Sequence, residues 1–270
     1  MRRTITDPNR ILLAITYIGK NGPISKEKLF DHLIEFSDKA EAEKRGKKSL
    51  SGATNDVLYN LKILQFVSGD DKNLILTTSL NDDYINIYSG KQVFAAYISN
   101  DKQGALMMLQ TNALYYSPEI RHLAAFIFRR KKISKSEIGM EYNRKKVFGH
   151  SFNPFTIETS LAELERLFLL QKQKNGENPP LYTIVTLHNL IFAQLLVEEY
   201  YELQNTDGTV PLYSMKERFS LKYNLAYHEF EERFMILKNS LLPNLIIGGS
   251  YEKFSINMDI ARELNLYEKL

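Results

Sequence analysis

The stretch LKILQFVSGDDKNLILT, residues 61–77, decides how the chain is read. Leu61 and Leu64 close an apolar stripe begun by Val57 and Leu58, the spacing of a helix with one buried face. Phe66-Val67 then leaves the helix, Gly69-Asp70-Asp71 supplies turn chemistry, and Leu74-Ile75-Leu76-Thr77 returns as a strand. Working upstream, a helix is expected from Ser51 to Leu64, preceded by the basic run Lys44-Arg45-Gly46-Lys47-Lys48. Lys26 to Phe36 carries Leu29, Phe30, Leu33 and Ile34 at helical spacing behind Ser25, a cap residue with Lys28 where a full capping box would place Glu. Asn9 to Ile18 is a further amphipathic segment, opened by Asp7-Pro8 and broken by Gly19, Gly22 and Pro23.

Three helices followed by a short hairpin with a polar turn is the winged-helix order, and residues 61–77 resemble the end of a winged-helix recognition helix running into its wing. The order recurs. Glu119 to Phe128 reads as a helix, followed by Arg129-Arg130-Lys131-Lys132 and by Ile133-Ser134-Lys135-Ser136-Glu137-Ile138, which parallels Ile24-Ser25-Lys26-Glu27-Lys28-Leu29. A second basic run, Asn143-Arg144-Lys145-Lys146, precedes a helix from Thr156 to Leu167 with Ile157, Leu161, Leu164 and Phe168 on one side. Strands at Phe168-Leu169-Leu170 and Leu181 to Val185 flank Asn175-Gly176, a strong hairpin turn because both residues tolerate positive φ. A looser third copy has helices at Asn189–Leu203, Ser214–Leu221 and Tyr227–Leu237, with Ile246-Ile247, Gly248-Gly249 and Phe254-Ser255-Ile256 as its hairpin. The predicted fold class is mainly α with small β-hairpin wings: tandem winged-helix units over 1–80, 119–186 and 187–270. A helical connector over 81–118, with short helices at Val93–Ile98 and Ala105–Leu109, packs the first two together.

Composition fits this picture. The 270 residues are 44% hydrophobic and 25% charged, ordinary globular values that exclude wholesale disorder. The absence of Cys removes disulfides, thiolate metal sites and Cys nucleophiles together and fits a reducing, cytoplasmic setting. No signal-peptide pattern opens the chain, and no apolar stretch is long enough for a bilayer, so no membrane association is expected. Net charge is +3, unevenly spread: residues 1–80 hold 13 Lys+Arg against 10 Asp+Glu, residues 119–186 hold 12 against 7, and residues 187–270 hold 8 against 12. A basic front and an acidic end point to different partners.

Chemistry is hard to find. His32, His122, His150, His188 and His228 are scattered without metal-ligand spacing, and no phosphate-loop, dinucleotide or nucleophile-elbow motif is present. No catalytic residue, metal or cofactor is therefore assigned. In a DNA-binding winged helix the third helix reads the major groove while loops and the wing hold phosphates. That makes Lys44, Arg45, Lys47 and Lys48, with Arg144, Lys145 and Lys146, the candidate phosphate contacts, and Ser51, Thr54, Asn55 and Asn60 the candidate base-edge contacts. Glu158, Glu163 and Glu165 weaken a groove-reading role for the second copy if they face outward, which favours the first. The third copy's helix carries Tyr227, Glu229, Glu231 and Glu232, a surface suited to protein rather than phosphate.

The sequence thus predicts a non-enzymatic protein with double-stranded DNA as one partner, either a regulator or a DNA-engaging subunit of a bacterial-type complex. The alternative is an adaptor that meets a protein through its acidic end. Tandem winged-helix proteins of that kind include the accessory subunits of chromosome-organising ATPases, and small subunits of multi-component bacterial defence systems look similar.

Overall fold

The computed structural model describes residues 5, 7–35, 54–78, 87–142, 145–175, 178–241, 246–247 and 253–267. Among them the chain is mainly helical with small antiparallel strand pairs, and it divides into two compact units, residues 1–81 with 87–116, and 82–86 with 117–270.

In the first unit α1 (Pro8–Asn21) opens as its sequence dictates, with Asp7 accepting from the Asn9 amide at 3.0 Å and Pro8 in the first turn. Its buried face is Ile11, Leu12, Ala14, Ile15 and Ile18. After α2 (Lys26–Glu35) and α3 (residues 54–63) come β1 (Val67–Ser68) and β2 (Ile75–Leu76), paired antiparallel as Val67↔Leu76 and Ser68↔Ile75. Asp70 holds the turn by accepting from the Lys72 and Asn73 amides, each at 2.9 Å. Ile24, between α1 and α2, bridges Leu74 and so adds a third chain segment beside β2.

The connector forms longer helices than its sequence pattern indicates, α4 (Gly90–Ile98) and α5 (Lys102–Tyr115), and both belong to the first unit. Gly19 of α1 shows why α4 seats there: a Cβ at that position would stand 2.5 Å from the Phe94 ring. Asn112 of α5, wholly buried, donates to the carbonyls of Leu64 and Tyr88 and accepts from the Tyr88 amide, all at 2.9 Å. Its amide thereby closes the end of α3 against α5, satisfying polar groups that burial would otherwise leave costly.

The second unit holds two further copies of the same order. The first of these is α6 (Pro118–Arg130), β3 (Ile133–Ser134), α7 (Lys135–Tyr142), a small hairpin β4 (Lys146–Val147) and β5 (His150–Ser151), α8 (Pro154–Arg166), then β6 (Leu170–Asn175) and β7 (Asn178–Ile184). Then follow α9 (Asn189–Leu203), β8 (Val210–Pro211), α10 (Leu212–Tyr223), α11 (Tyr227–Ile236), β9 (Ile246–Ile247), β10 (Lys253–Ile256) and a closing α12 (Met258–Glu263). Both three-stranded sheets put the last strand in the middle, β3-β7-β6 and β8-β10-β9, as Ile24, β2 and β1 do in the first unit. Strands β3, β4, β5 and β8 and helix α12 have no counterpart in the sequence reading, because two-residue strands carry no periodicity to detect.

Within this unit α6 packs along α9, and between them lies the fully buried guanidinium of Arg121. It donates to Gln194 Oε1 at 3.0 Å and to the carbonyls of Leu264 and Asn265 at 3.2 and 2.6 Å. One cation therefore ties α6, α9 and the turn after α12 together. Replacing it leaves two buried acceptors, Gln194 Oε1 and the Leu264 carbonyl, and the part-buried Asn265 carbonyl unmet, each buried one costing about 1–3 kcal/mol. Arg121→Ala is expected to destabilise this unit by about 3 kcal/mol or more, read as a lowered urea midpoint at unchanged slope.

Candidate nucleic-acid interface

The basic run Lys44, Arg45, Lys47 and Lys48, together with Ser51, lies outside the described residues. The helix that follows it is described, and it corrects part of the expectation. Thr54 and Asn60 are buried, at 3% and 1% exposure, so neither meets a base edge. Thr54 sits on the same stripe as Val57, Leu58, Leu61 and Leu64, a spacing that draws a small β-branched residue inward. The accessible face carries Asn55, Asp56 and Tyr59, all half-buried, with Lys62 exposed. Lys62 and Lys26 converge on Asp71 in the turn at 2.9 and 3.4 Å. The Lys62 hydrogen bond holds that carboxyl below its usual range.

In the second copy Arg144 is outside the described residues, while Lys145 and Lys146 are exposed. They lead into the β4–β5 hairpin, anchored by buried Val147 and Phe152 and turned at Phe148 and Gly149, both at positive φ. Asn153 then caps α8 by accepting from the amides of Phe155 and Thr156 at 3.0 Å. Lys145 pairs with Glu141 at 2.7 Å, whereas Lys146 has no ion pair among the described residues. The three glutamates of α8 do not form the repulsive surface that their charges allow for. Glu163 is buried at 2% exposure, Glu158 is paired with Lys135 at 2.7 Å, and Glu165 is half-buried. Lys172 on β6 is exposed and stands 5.8 Å from the centre of the Tyr182 ring.

The run Arg129–Lys132 is divided by its position at the end of α6. Arg129 turns to Glu198 of α9, Arg130 lies over the Phe126 ring, and Lys131 and Lys132 remain exposed. Behind Arg129 a chain of polar contacts has only one consistent proton arrangement. Arg121 Nε donates to Gln194 Oε1, which fixes the amide so that Gln194 Nε2 is the donor. Its two hydrogens go to His122 Nδ1 and Glu198 Oε1, each at 3.1 Å. His122 therefore accepts at Nδ1 and carries its proton on Nε2 as a neutral ring. Its 3.7 Å approach to Glu198 is thus not an ion pair.

The third copy's helix α11 turns its acidic residues outward. Tyr227, Glu229, Glu231 and Glu232 are all exposed, and Met235 and Ile236 join them at 45% and 39% exposure. Phe230 and Phe234 turn inward, and Arg233 donates to the Leu187 carbonyl at 2.6 Å and to Asn189 Oδ1 at 3.1 Å. The outward face is left acidic. Glu231 is partnered by Lys216, and Glu229 accepts from the Ala226 amide at its own helix start.

No family model, no characterised protein and no solved structure matches this chain. Among the described residues no cluster of His, Asp or Glu has metal-binding geometry, and no helix is long and apolar enough to cross a membrane.

Two buried histidines give the second unit a pH signature. Burial, then the nearby Arg129, lowers His122 to about 4; burial, then Arg233, lowers His188 to about 4. The unfolded chain takes up these protons near pH 6.5 and the folded chain does not. Stability is thus complete above about pH 6.5 and is lost as pH falls toward 4. His188 Nδ1 caps α9 by accepting from the Leu190 amide at 3.1 Å, a role Asn fills without titrating. His188→Asn should lose less melting temperature than the parent between pH 7.5 and 5. Equal losses in the two chains would refute this account.

Proposed function

We propose that the chain is a tandem winged-helix protein that engages double-stranded DNA and catalyses no reaction. The observation that carries this reading is the geometry of the second copy. Exposed Lys145 and Lys146 stand immediately before the capped start of α8, and the β6–β7 hairpin follows that helix with Lys172 on its surface. A winged helix that binds DNA puts its third helix in the major groove and its flanking loop and wing on the phosphates, and this supports reading these cations as phosphate contacts. With Glu163 buried and Glu158 neutralised, α8 offers less repulsion to a duplex than its composition implies. The first copy contributes through Lys44, Arg45, Lys47 and Lys48, without Thr54 or Asn60 as readers.

The third copy supports a second, compatible role as the protein-facing end of an adaptor. Its α11 stands where a reading helix would stand, yet exposes Glu229, Glu231 and Glu232 beside Tyr227, Met235 and Ile236. Acid repels phosphate, and aromatic and Met side chains are favoured at protein interfaces. In this reading the chain is a cytoplasmic subunit that joins DNA to a partner in a larger assembly.

Anisotropy with a labelled duplex tests the first role. Binding is expected at low salt with a steep linear fall of log affinity against log salt. Lys146→Ala should reduce that slope by about 0.9, the release of one phosphate's counterion. The combined substitution Lys44→Ala, Arg45→Ala, Lys47→Ala and Lys48→Ala should reduce it further. Absence of binding at low salt, or slopes indifferent to both changes, would overturn it. For the second role, Tyr227→Ala with Met235→Ala should abolish recovery of a co-purifying protein while leaving duplex binding intact.

A further inference from the structure

The second unit contains a cavity of about 370 Å³ that shares only Lys145 with the DNA reading. Its wall brings together Arg129 and Arg130 from the end of α6, Tyr142 from the end of α7, Lys145, and Lys222 from α10, with His122 alongside. Nearly everything polar on this wall is a donor. Four cations and a phenol share the wall with a single lining carboxylate, Glu141, while Arg129 and Lys222 also pair with Glu198 and Glu199 beyond it. Glu141 is already committed, 2.7 Å from Lys145 and 3.9 Å from Arg130, and the Lys145 hydrogen bond holds it ionised below the usual carboxylate range.

Two donors on the wall lack an acceptor. The Tyr142 side chain is 98% buried, its ring edge-on to Phe126 and to His122, and its hydroxyl makes no hydrogen bond. Arg129 Nε is likewise buried and unpartnered, although the same guanidinium pairs with Glu198. Burial drives the Tyr142 phenol upward, so it stays a donor at every physiological pH. Leaving such groups unmet costs about 1–3 kcal/mol each, a cost removed by an incoming acceptor. Arg129, Lys145 and Lys222 already face Glu198, Glu141 and Glu199, which leaves Arg130, exposed and 3.9 Å from Glu141, as the most available cation, and a guanidinium fits the oxygens of a phosphate. The rest of the wall, Phe126, Val147 and the Tyr142 ring, is apolar or aromatic and suits a flat, uncharged body.

We propose that this cavity binds a small phosphomonoester of about mononucleotide size, its phosphate held by Arg130, Arg129 Nε and the Tyr142 hydroxyl and its body packed on Phe126. The volume lies at the low end of small-molecule sites and does not accommodate a duplex. Lys145, the wall residue shared with the DNA reading, takes no part in holding this phosphate, so the two bindings are tested separately.

Adenosine 5′-monophosphate, adenosine and inorganic phosphate serve as probes on the full chain, by thermal shift and titration calorimetry at matched ionic strength. The monophosphate at millimolar concentration is expected to raise Tm by about 2 °C or more and inorganic phosphate by less, with adenosine inert. Tyr142→Phe keeps the packing and removes only the hydroxyl, so it should fold normally and weaken the monophosphate Kd about tenfold. Arg130→Gln, at an accessible position, should weaken it comparably. Binding of an unphosphorylated duplex should be unchanged by Tyr142→Phe, which separates this site from the DNA surface. The proposal fails if neither phosphate probe stabilises the chain beyond chloride, if adenosine acts as strongly as its monophosphate, or if Tyr142→Phe retains full affinity.

Discussion

A strand pairing of one or two residues governs the shape of each copy. Ile24 meets Leu74, Ile133–Ser134 meets Tyr182–Leu181, and Val210–Pro211 meets Phe254–Lys253. Each pairing joins a segment just after the first helix to the last strand of the hairpin, some forty to fifty residues later. Closing loops of that length is entropically costly, so the pairing persists only because the helices between pack beneath it. With both ends pinned, the second and third helices have one place to lie. Their apolar stripes go inward, through Leu29 and Leu61, Ile138 and Leu161, or Met215 and Phe230. The opposite face of the third helix remains toward solvent.

That constraint makes the three copies comparable and shows where they diverge. The same position in the scaffold carries Asn55, Tyr59 and Lys62 in the first copy and Phe155, Glu158 and Thr159 in the second, but Tyr227, Glu231 and Met235 in the third. A fixed backbone with a variable exposed face is how one architecture serves different ligands. The exposed Lys145 and Lys146 before α8 and the exposed acids of α11 are the charged extremes of that variation.

The second unit adds a polar axis through its core. Arg121, Gln194, His122, Glu198 and Arg129 form one hydrogen-bonded and charge-paired chain, in which Arg121 settles the amide, the amide settles the imidazole tautomer, and Glu198 settles Arg129. A buried guanidinium contributes less than well-packed carbon would, but removing it leaves its partners stranded, so it specifies one arrangement of α6 against α9. A second cluster, with Arg218, Lys222 and Tyr223 all donating to buried Glu199, fixes α10 on α9 in the same manner. Burial pushes the Glu199 carboxyl upward, yet those three donors outweigh it and hold the group below its usual range. Arg129 and Lys222, drawn into these networks, also line the cavity of this unit.

Much of the architecture was legible from local pattern. Asp7-Pro8, Ser25 and the stripe Val57, Leu58, Leu61, Leu64 located helices because capping and 3.6-residue periodicity are local properties. Turn chemistry at Gly69-Asp70-Asp71 located the first hairpin, and the repeated Ile-Ser-Lys start linked Ile24 to Ile133. The acidic exposed face of α11 also followed from sequence, since Glu229, Glu231 and Glu232 have no reason to be buried. What only the tertiary structure decided was how polar residues were spent. Thr54 and Asn60 went inward, Glu163 was buried and Glu158 paired, and the basic run at Arg129 was split between a half-buried ion pair and the surface. Those outcomes depend on partners dozens of residues away, such as Lys135 for Glu158 and Glu198 for Arg129. A charge in a sequence therefore announces its need for a partner without saying which one meets it.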